Sequence, residues 1–176
     1  ASRFQPIACE HLQEPRSAGP RPEAGPASSL VGADLLIVSN ACGGMNPQHA
    51  KGDILHKDIL LRAMDGVDGV FHLAALWLLQ CMEYPRAAFE VNIEGTFNVI
   101  AAAIEAGVKR IVYSSSASVY GDAVVEPMTE DHPLACREFY GASKVSGEMM
   151  LRALHHRYRN STQHFDYVGL RYMNVY

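Results

Sequence analysis

Tyr140-Gly141-Ala142-Ser143-Lys144 opens a stretch whose pattern predicts a helix over residues 140–158. Tyr140 and Lys144 stand four residues apart, so a helix carries them on the same face. A phenol with a pKa of about 10 is a poor base at neutral pH. A nearby ammonium favours the phenolate and lowers that pKa. The pair therefore suits removal of a proton from an alcohol. Twenty-four residues upstream of Tyr140 lies Ser116, in Ser114-Ser115-Ser116-Ala117-Ser118-Val119-Tyr120-Gly121. This serine turn directly follows Arg110-Ile111-Val112-Tyr113-Ser114, which reads as a strand. In open α/β sheets ligands bind at the carboxyl ends of the strands. A serine there can donate to, and accept from, a hydroxyl that it shares with the tyrosine.

Working outward, strand and helix patterns alternate. Residues 57–65 read as a short helix with Ile59, Leu60 and Ala63 on one face. Gly69-Val70-Phe71-His72-Leu73 reads as a strand, and residues 86–106 as a long helix. In that helix Phe89, Ile93, Phe97, Ile100 and Ile104 recur at three- and four-residue steps, which predicts a common buried face. Tyr167-Val168-Gly169-Leu170 is a further strand, and Leu35-Leu36-Ile37-Val38-Ser39 an earlier one. Strands spaced by helices predict right-handed crossovers and a parallel α/β sheet. Residues 1–29 carry Pro6, Pro15, Pro20, Pro22 and Pro26 and few large apolar groups. They are expected to be disordered, leaving residues 30–176 as the folded domain.

Six segments match one family in order. They are Gly52-Asp53-Ile54, Phe71-His72-Leu73-Ala74-Ala75, Val91-Asn92-Ile93-Glu94-Gly95-Thr96, the Ser116 turn, the Tyr140 helix and Leu170-Arg171-Tyr172-Met173-Asn174-Val175-Tyr176. Residues 52–176 thus resemble the extended short-chain dehydrogenase/reductases of the NAD-dependent epimerase/dehydratase type, especially the nucleotide-sugar epimerases. The resemblance implies a Rossmann-like domain, NAD as cofactor with NADP not excluded, and a nucleotide-sugar substrate. It also allows a homodimer. It implies Ser116, Tyr140 and Lys144 as the catalytic triad, with Lys144 also holding the nicotinamide ribose. Asp53 and Ile54 would meet the adenine, and Leu73, Ala74 and Ala75 would let the cofactor approach the strand end. Asn92 would sit near the cofactor, Met173 would line the nicotinamide pocket, and Asn174 would approach the sugar nucleotide.

The family pattern is incomplete. Its G-x-x-G-x-x-G turn holds a pyrophosphate on backbone amides and a helix N-terminus. None of the fourteen glycines falls in that spacing or in G-x-G-x-x-G. Gly43 and Gly44 follow a strand, but Asp53 comes nine residues after Gly44, too soon for a first βαβ unit of about 30 residues. The sheet is therefore expected to lack the glycine-rich βαβ unit, and the chain to lack the family's C-terminal substrate domain. In a doubly wound order, the strand at 35–39 is expected in the vacant first-strand slot beside 69–73. Residues 32–54, with Asn40-Ala41-Cys42-Gly43-Gly44-Met45-Asn46-Pro47 at their centre, resemble purine nucleoside phosphorylases instead. The rest of that family's site is absent, so phosphorolysis is not inferred.

A net charge of −4 gives no broad attraction to nucleic acid or anionic membrane. The longest apolar run, Val70 to Leu79, is interrupted by His72 and falls far short of the ~20 residues of a membrane helix. No signal peptide is read. Cys9, Cys42, Cys81 and Cys136 form no C-x-x-C pair and no zinc spacing, which fits free thiols in a cytoplasmic protein. The His155-His156 pair is expected to face solvent, and no metal site is expected. Three readings stay open on sequence alone. The chain is an active epimerase-type enzyme, a non-catalytic module that keeps the fold, or an inactive fusion or fragment.

Overall fold

The computed structural model describes residues 4–7, 35–38 and 53–173. Five parallel strands form one sheet in the order β1 (Phe4–Ile7), β2 (Leu35–Val38), β3 (Gly69–His72), β4 (Arg110–Ser116) and β5 (Asp166–Tyr172). The helices are α1 (Lys57–Ala63), α2 (Leu78–Glu83), α3 (Pro85–Ala88), α4 (Thr96–Glu105) and α5 (Phe139–Tyr158). A π-helical segment, Phe89–Gly95, joins α3 to α4 without a break.

β2 lies beside β3, with Leu35 opposite Gly69 and Val38 opposite His72, which is the slot the sequence predicts for it. Phe4–Ile7 corrects the expectation of disorder for that part of residues 1–29. It pairs in parallel with β2, and Pro6 is tolerated because β1 is an edge strand. The rest of residues 1–29, the Ala41–Gly44 turn, the Asp53 side chain and Asn174 lie outside the described residues.

Strand order follows chain order, so no reversal of strand order occurs among the described strands. Right-handed crossovers in such a sheet put every helix on the same face. One apolar cluster accordingly joins Leu60 and Met64 of the α1 region, Val99 and Ile100 of α4 and Leu151 of α5 to Val70, Ile111 and Tyr113 of the sheet. Along β4, Ile111, Tyr113 and Ser115 are buried under the helices, while Val112, Ser114 and Ser116 alternate onto the other, half-exposed face.

The helix from Pro85 to Glu105 buries Ile100 and Ile104 of the predicted face but not Phe89 or Phe97. Val91, Asn92, Gly95, Thr96, Val99, Ile100 and Ala103 turn inward, whereas Phe89 and Phe97 are 42% and 47% exposed. Two features explain the change. The π segment alters the phase of the helix, and small residues allow close approach. A Cβ on Gly95 would meet Ile54 Cδ1 at 2.6 Å.

α5 also lies close to the sheet. A Cβ on Gly147 would stand 2.3 Å from Tyr113 Oη and 2.5 Å from its ring, and Tyr113 is fully buried. We expect Gly147→Ala to cost roughly 1–3 kcal/mol through overpacking. Gly95→Ala should cost less, because the obstructing Ile54 atom is the mobile end of a side chain. Denaturant midpoints of the two variants test the ordering. Equal midpoints would show that α5 is not seated on Tyr113.

Candidate functional site

Ser116, Tyr140 and Lys144 meet at the carboxyl end of β4. The Ser116 hydroxyl stands close enough to Tyr140 to favour its phenolate, and Ser116 Oγ lies 3.1 Å from Ser118 Oγ. The chain leaves β4 through a tight turn at Ala117–Val119, whose first amide is capped by Ser116, since Ser118 N donates to Ser116 Oγ. Lys144 is buried, and its Nζ donates to the Ser114 carbonyl at 2.7 Å. The ammonium also lies 5.2 Å from the centre of the Tyr113 ring and 5.6 Å from that of Tyr140.

The electrostatics differ from the sequence expectation. Burial pushes the Tyr140 phenol above its ordinary value, and the Ser116 hydrogen bond opposes that push without overcoming it. Burial also pulls Lys144 down to about 8. The pair therefore stands with a neutral phenol beside an ammonium that deprotonates readily.

The structure places the remaining candidates unevenly. Asn92 is buried and fully engaged. Its Oδ1 accepts from Leu76 N at 2.7 Å, and its Nδ2 donates to Leu76 O at 3.0 Å and to Ser143 Oγ at 3.1 Å. It pins the segment after β3 to α5, one residue from Lys144. Ala74 is buried in the core, Ala75 is half-buried and Leu73 is 42% exposed at the end of β3. Ile54 is buried against Gly95, away from the triad, and its carbonyl accepts from Asn98. Met173 is 68% exposed just beyond β5.

Sequence reading missed two residues that form the floor of the site. His72 is fully buried, with its ring centre 5.6 Å from that of Tyr113 and its Nε2 2.9 Å from Thr96 Oγ1. Burial, aided by the Lys144 charge, holds its pKa at about 3, so the imidazole is neutral. The strand alternation that buries Tyr113 was a usable signal for the second residue. Cys81 lies close by, and Asn92 Nδ2 is 3.3 Å from its sulfur. Burial raises that thiol's pKa, and the Asn92 contact only moderates the rise. Cys81 and Cys136 are free thiols, and no metal-binding cluster occurs among the described residues. His155 is half-buried against His164, Phe165 and Tyr167, a departure from its expected exposure, whereas His156 faces solvent.

The buried Lys144 makes stability depend on pH. The group titrates at about 8 in the folded chain and near its ordinary value of 10.5 when unfolded. Between those values the unfolded chain binds more protons, so stability rises with pH. The parent should therefore gain on a Lys144→Met variant as pH moves from about 8 to about 10 in denaturation experiments. A difference that stays flat with pH would show that the ammonium is not buried.

The sequence pattern of the NAD dependent epimerase/dehydratase family matches residues 27–176, a span that includes the phosphorylase-like segment. UDP-glucose 4-epimerase of Bacillus subtilis (strain 168) is 33% identical over 129 residues, covering 72% of this chain and 37% of that protein. An Arabidopsis thaliana 3beta-hydroxysteroid-dehydrogenase/decarboxylase, isoform 1, is 33% identical over 119 residues, covering 65% of this chain and 27% of its own length. Among solved structures, the UDP-N-acetylglucosamine 4-epimerase of Methanobrevibacter ruminantium M1 superposes with a TM-score of 0.68 at 30% identity, covering 82% of this chain and 48% of that one. The dTDP-glucose 4,6-dehydratase of Streptomyces venezuelae, in a double-mutant structure with NAD bound, gives 0.66 at 29% identity, covering 79% and 46%. The chain spans less than half the length of each of these relatives. On the match over residues 27–176, the chain belongs to the NAD-dependent epimerase/dehydratase family.

Proposed function

We propose that this chain carries the nicotinamide-side catalytic half of an epimerase-type oxidoreductase that acts on a nucleotide sugar. The observation that carries the reading is the convergence of Ser116, Tyr140 and Lys144 at the carboxyl end of β4. The residues fit one half of an NAD molecule. Lys144 spends one of its three donors on Ser114 and keeps two for ribose hydroxyls. Ala74 and Ala75 present small side chains at the end of β3. The pyrophosphate half is less well served, because the sequence lacks the glycine-rich turn and the described strands offer no reversal of order, where such sheets open a crevice. Asp53, Ile54 and Met173 keep the cofactor roles that the family suggests, and Asn174 keeps its substrate role. Asn92 acts by holding the β3 end rather than by contact.

When bound, oxidised nicotinamide supplies a hydride acceptor and one further positive charge beside Tyr140. Tyr140 Oη takes the proton from the substrate alcohol. Ser116 holds that alcohol by a hydrogen bond, and Lys144 favours the phenolate by its charge. The same tyrosine returns the proton when the carbonyl is reduced. A dehydration would need an added acid and base near the turn. Ala117 and Ser118 provide no carboxylate there, and Glu148 is engaged by Arg171 and Ser115. These positions favour epimerisation or simple redox over dehydration.

Free thiols at Cys81 and Cys136 are in keeping with a cytoplasmic location. No helix of the described residues is long and apolar enough to cross a membrane. Phe89 and Phe97, with half-buried Ile93 between them, form an outward apolar stripe suited to a second copy of the chain. Sedimentation should show a dimer that Phe97→Asp dissociates. A parent that sediments as a monomer would remove the homodimer from the reading.

Two measurements test the catalytic proposal. Calorimetry should show NAD binding no tighter than about millimolar, or roughly −4 kcal/mol. Micromolar binding would point to a substitute phosphate site. In a chain that carries the family's glycine-rich βαβ unit and C-terminal domain, UDP- or dTDP-sugars should yield an epimer or a 4-keto product. Tyr140→Phe should lower turnover by about 10²–10⁴-fold. Build-up of a 4-keto-6-deoxy sugar would overturn the argument from Ala117 and Ser118.

A further inference from the structure

Residues 140, 144 and 148 stand four apart on α5 and share one face. That face meets three consecutive residues of β4. Tyr140 stands beside Ser116, Lys144 Nζ donates to the Ser114 carbonyl at 2.7 Å, and the Ser115 hydroxyl donates to Glu148 Oε1 at 2.5 Å. Glu148 is held from its other side by Arg171 of β5. Arg171 Nε donates to Oε1 at 2.9 Å and Nη2 to Oε2 at 2.7 Å, a two-point fork. The remaining Nη1 donates to Tyr120 Oη and to the Glu130 carbonyl, each at 2.9 Å. Tyr120 ends the serine turn that begins at Ser116. The two charged side chains are only 12% and 21% exposed, so the pair sits inside the packing of α5, β4 and β5.

We propose that Glu148, gripped by Arg171, is a positioning residue that sets where α5 sits along β4 and thereby holds Tyr140 against Ser116. The inference rests on Ser116, Tyr140 and Lys144 being the reacting set. The Lys144–Ser114 and Asn92–Ser143 hydrogen bonds and the seat of Gly147 on Tyr113 fix the first half of this helix face, and Glu148 extends that hold by tying it to both β4 and β5. One residue of helix advances 1.5 Å, and a shift of about 1 Å suffices to break a hydroxyl–hydroxyl hydrogen bond. A forked carboxylate–guanidinium pair is directional on that scale. A buried ion pair adds little net stability, but it can specify geometry. Glu148 does not itself reach the reacting hydroxyls, because Ser115 and Ser116 point to opposite faces of β4. The carboxyl lies below its ordinary pKa even though burial pushes it upward, since the Arg171 and Ser115 hydrogen bonds outweigh that push. It is therefore charged at neutral pH and able to hold the guanidinium.

The test follows the ionisation of Tyr140 in the purified chain by NMR of ring-labelled tyrosine, with the signal assigned from Tyr140→Phe. In the parent, Ser116→Ala should raise the Tyr140 midpoint, because it removes a hydrogen bond that favours the phenolate. In Glu148→Ala that response to Ser116→Ala should be lost. Glu148→Gln, which keeps an acceptor for Ser115, should restore part of it. Ser115→Ala leaves the ion pair intact and guards against misfolding of the Glu148 variant; it should also weaken the response. Cooperative melts establish that each variant is folded. A folded Glu148→Ala or Ser115→Ala chain with the full Ser116 response would overturn the proposal. No Ser116 response in the parent would overturn both this inference and the triad reading. Undiminished turnover by Tyr140→Phe, with the coupling present in the parent and lost in Glu148→Ala, would overturn the catalytic reading alone and support the positioning role.

Discussion

The rest of the site depends on burying one ammonium between α5 and β4. Among the described residues Lys144 has no carboxylate partner; it has the Ser114 carbonyl and the faces of two tyrosine rings. A cation held this way needs those groups at fixed distances, because each interaction alone is modest and the desolvation cost is large. Several features follow from that demand. Gly147 lets the helix approach until Tyr113 lies beneath the charge. His72 fills the space behind that ring and stays neutral, so it adds no second cation. Asn92 ties the end of β3 to Ser143, the neighbour of Lys144 in sequence. The core here is organised around a reactive group rather than merely around apolar area.

The convergence of Ser116, Tyr140 and Lys144 was legible because its spacing is a matter of helix geometry. Four residues separate Tyr140 from Lys144, and a serine turn after a strand leaves Ser116 at the sheet's carboxyl end. The position of β2 beside β3 was legible for a similar reason, since an apolar run of strand length needs a partner on each side. The buried face of the Pro85–Glu105 helix was legible only toward its end, at Ile100 and Ile104. Phe89 and Phe97 turn outward, and Val91, Asn92, Gly95 and Thr96 turn inward instead. Residue counting also assumes a constant helical phase, which the π segment breaks. Phe4–Ile7 was missed because Pro6 argues against a central strand and says nothing against an edge. The network of Glu148, Arg171 and Tyr120 spans fifty-one residues of sequence, and no local pattern announces it.

The two halves of the expected cofactor site meet different physical conditions. On the nicotinamide side, donors and small side chains converge at the ends of β3 and β4. On the pyrophosphate side, the feature that usually creates a crevice is a reversal of strand order, and the described strands run in chain order. The described helices between β3 and β4 and between β4 and β5 pack into one apolar cluster with the sheet. The family fold and its ligand crevice are thus separable. Likeness to the 4-epimerase structure, at a TM-score of 0.68, reflects the packing of strands and helices, which persists without the reversal.

The π-helical segment at Phe89–Gly95 sets the relative rotation of the two ends of one continuous helix. Each α-helical residue turns the chain by about 100°. A π turn behaves as a single residue inserted into an α-helix. Removing that extra residue would not shorten the helix appreciably; it would spin everything before the segment against everything after it. Asn92 would leave the β3 end while Val99 and Ile100 stayed in the core. Along this element, then, insertions and deletions act as rotations, and a change of one residue in length moves chemistry around the axis instead of along it.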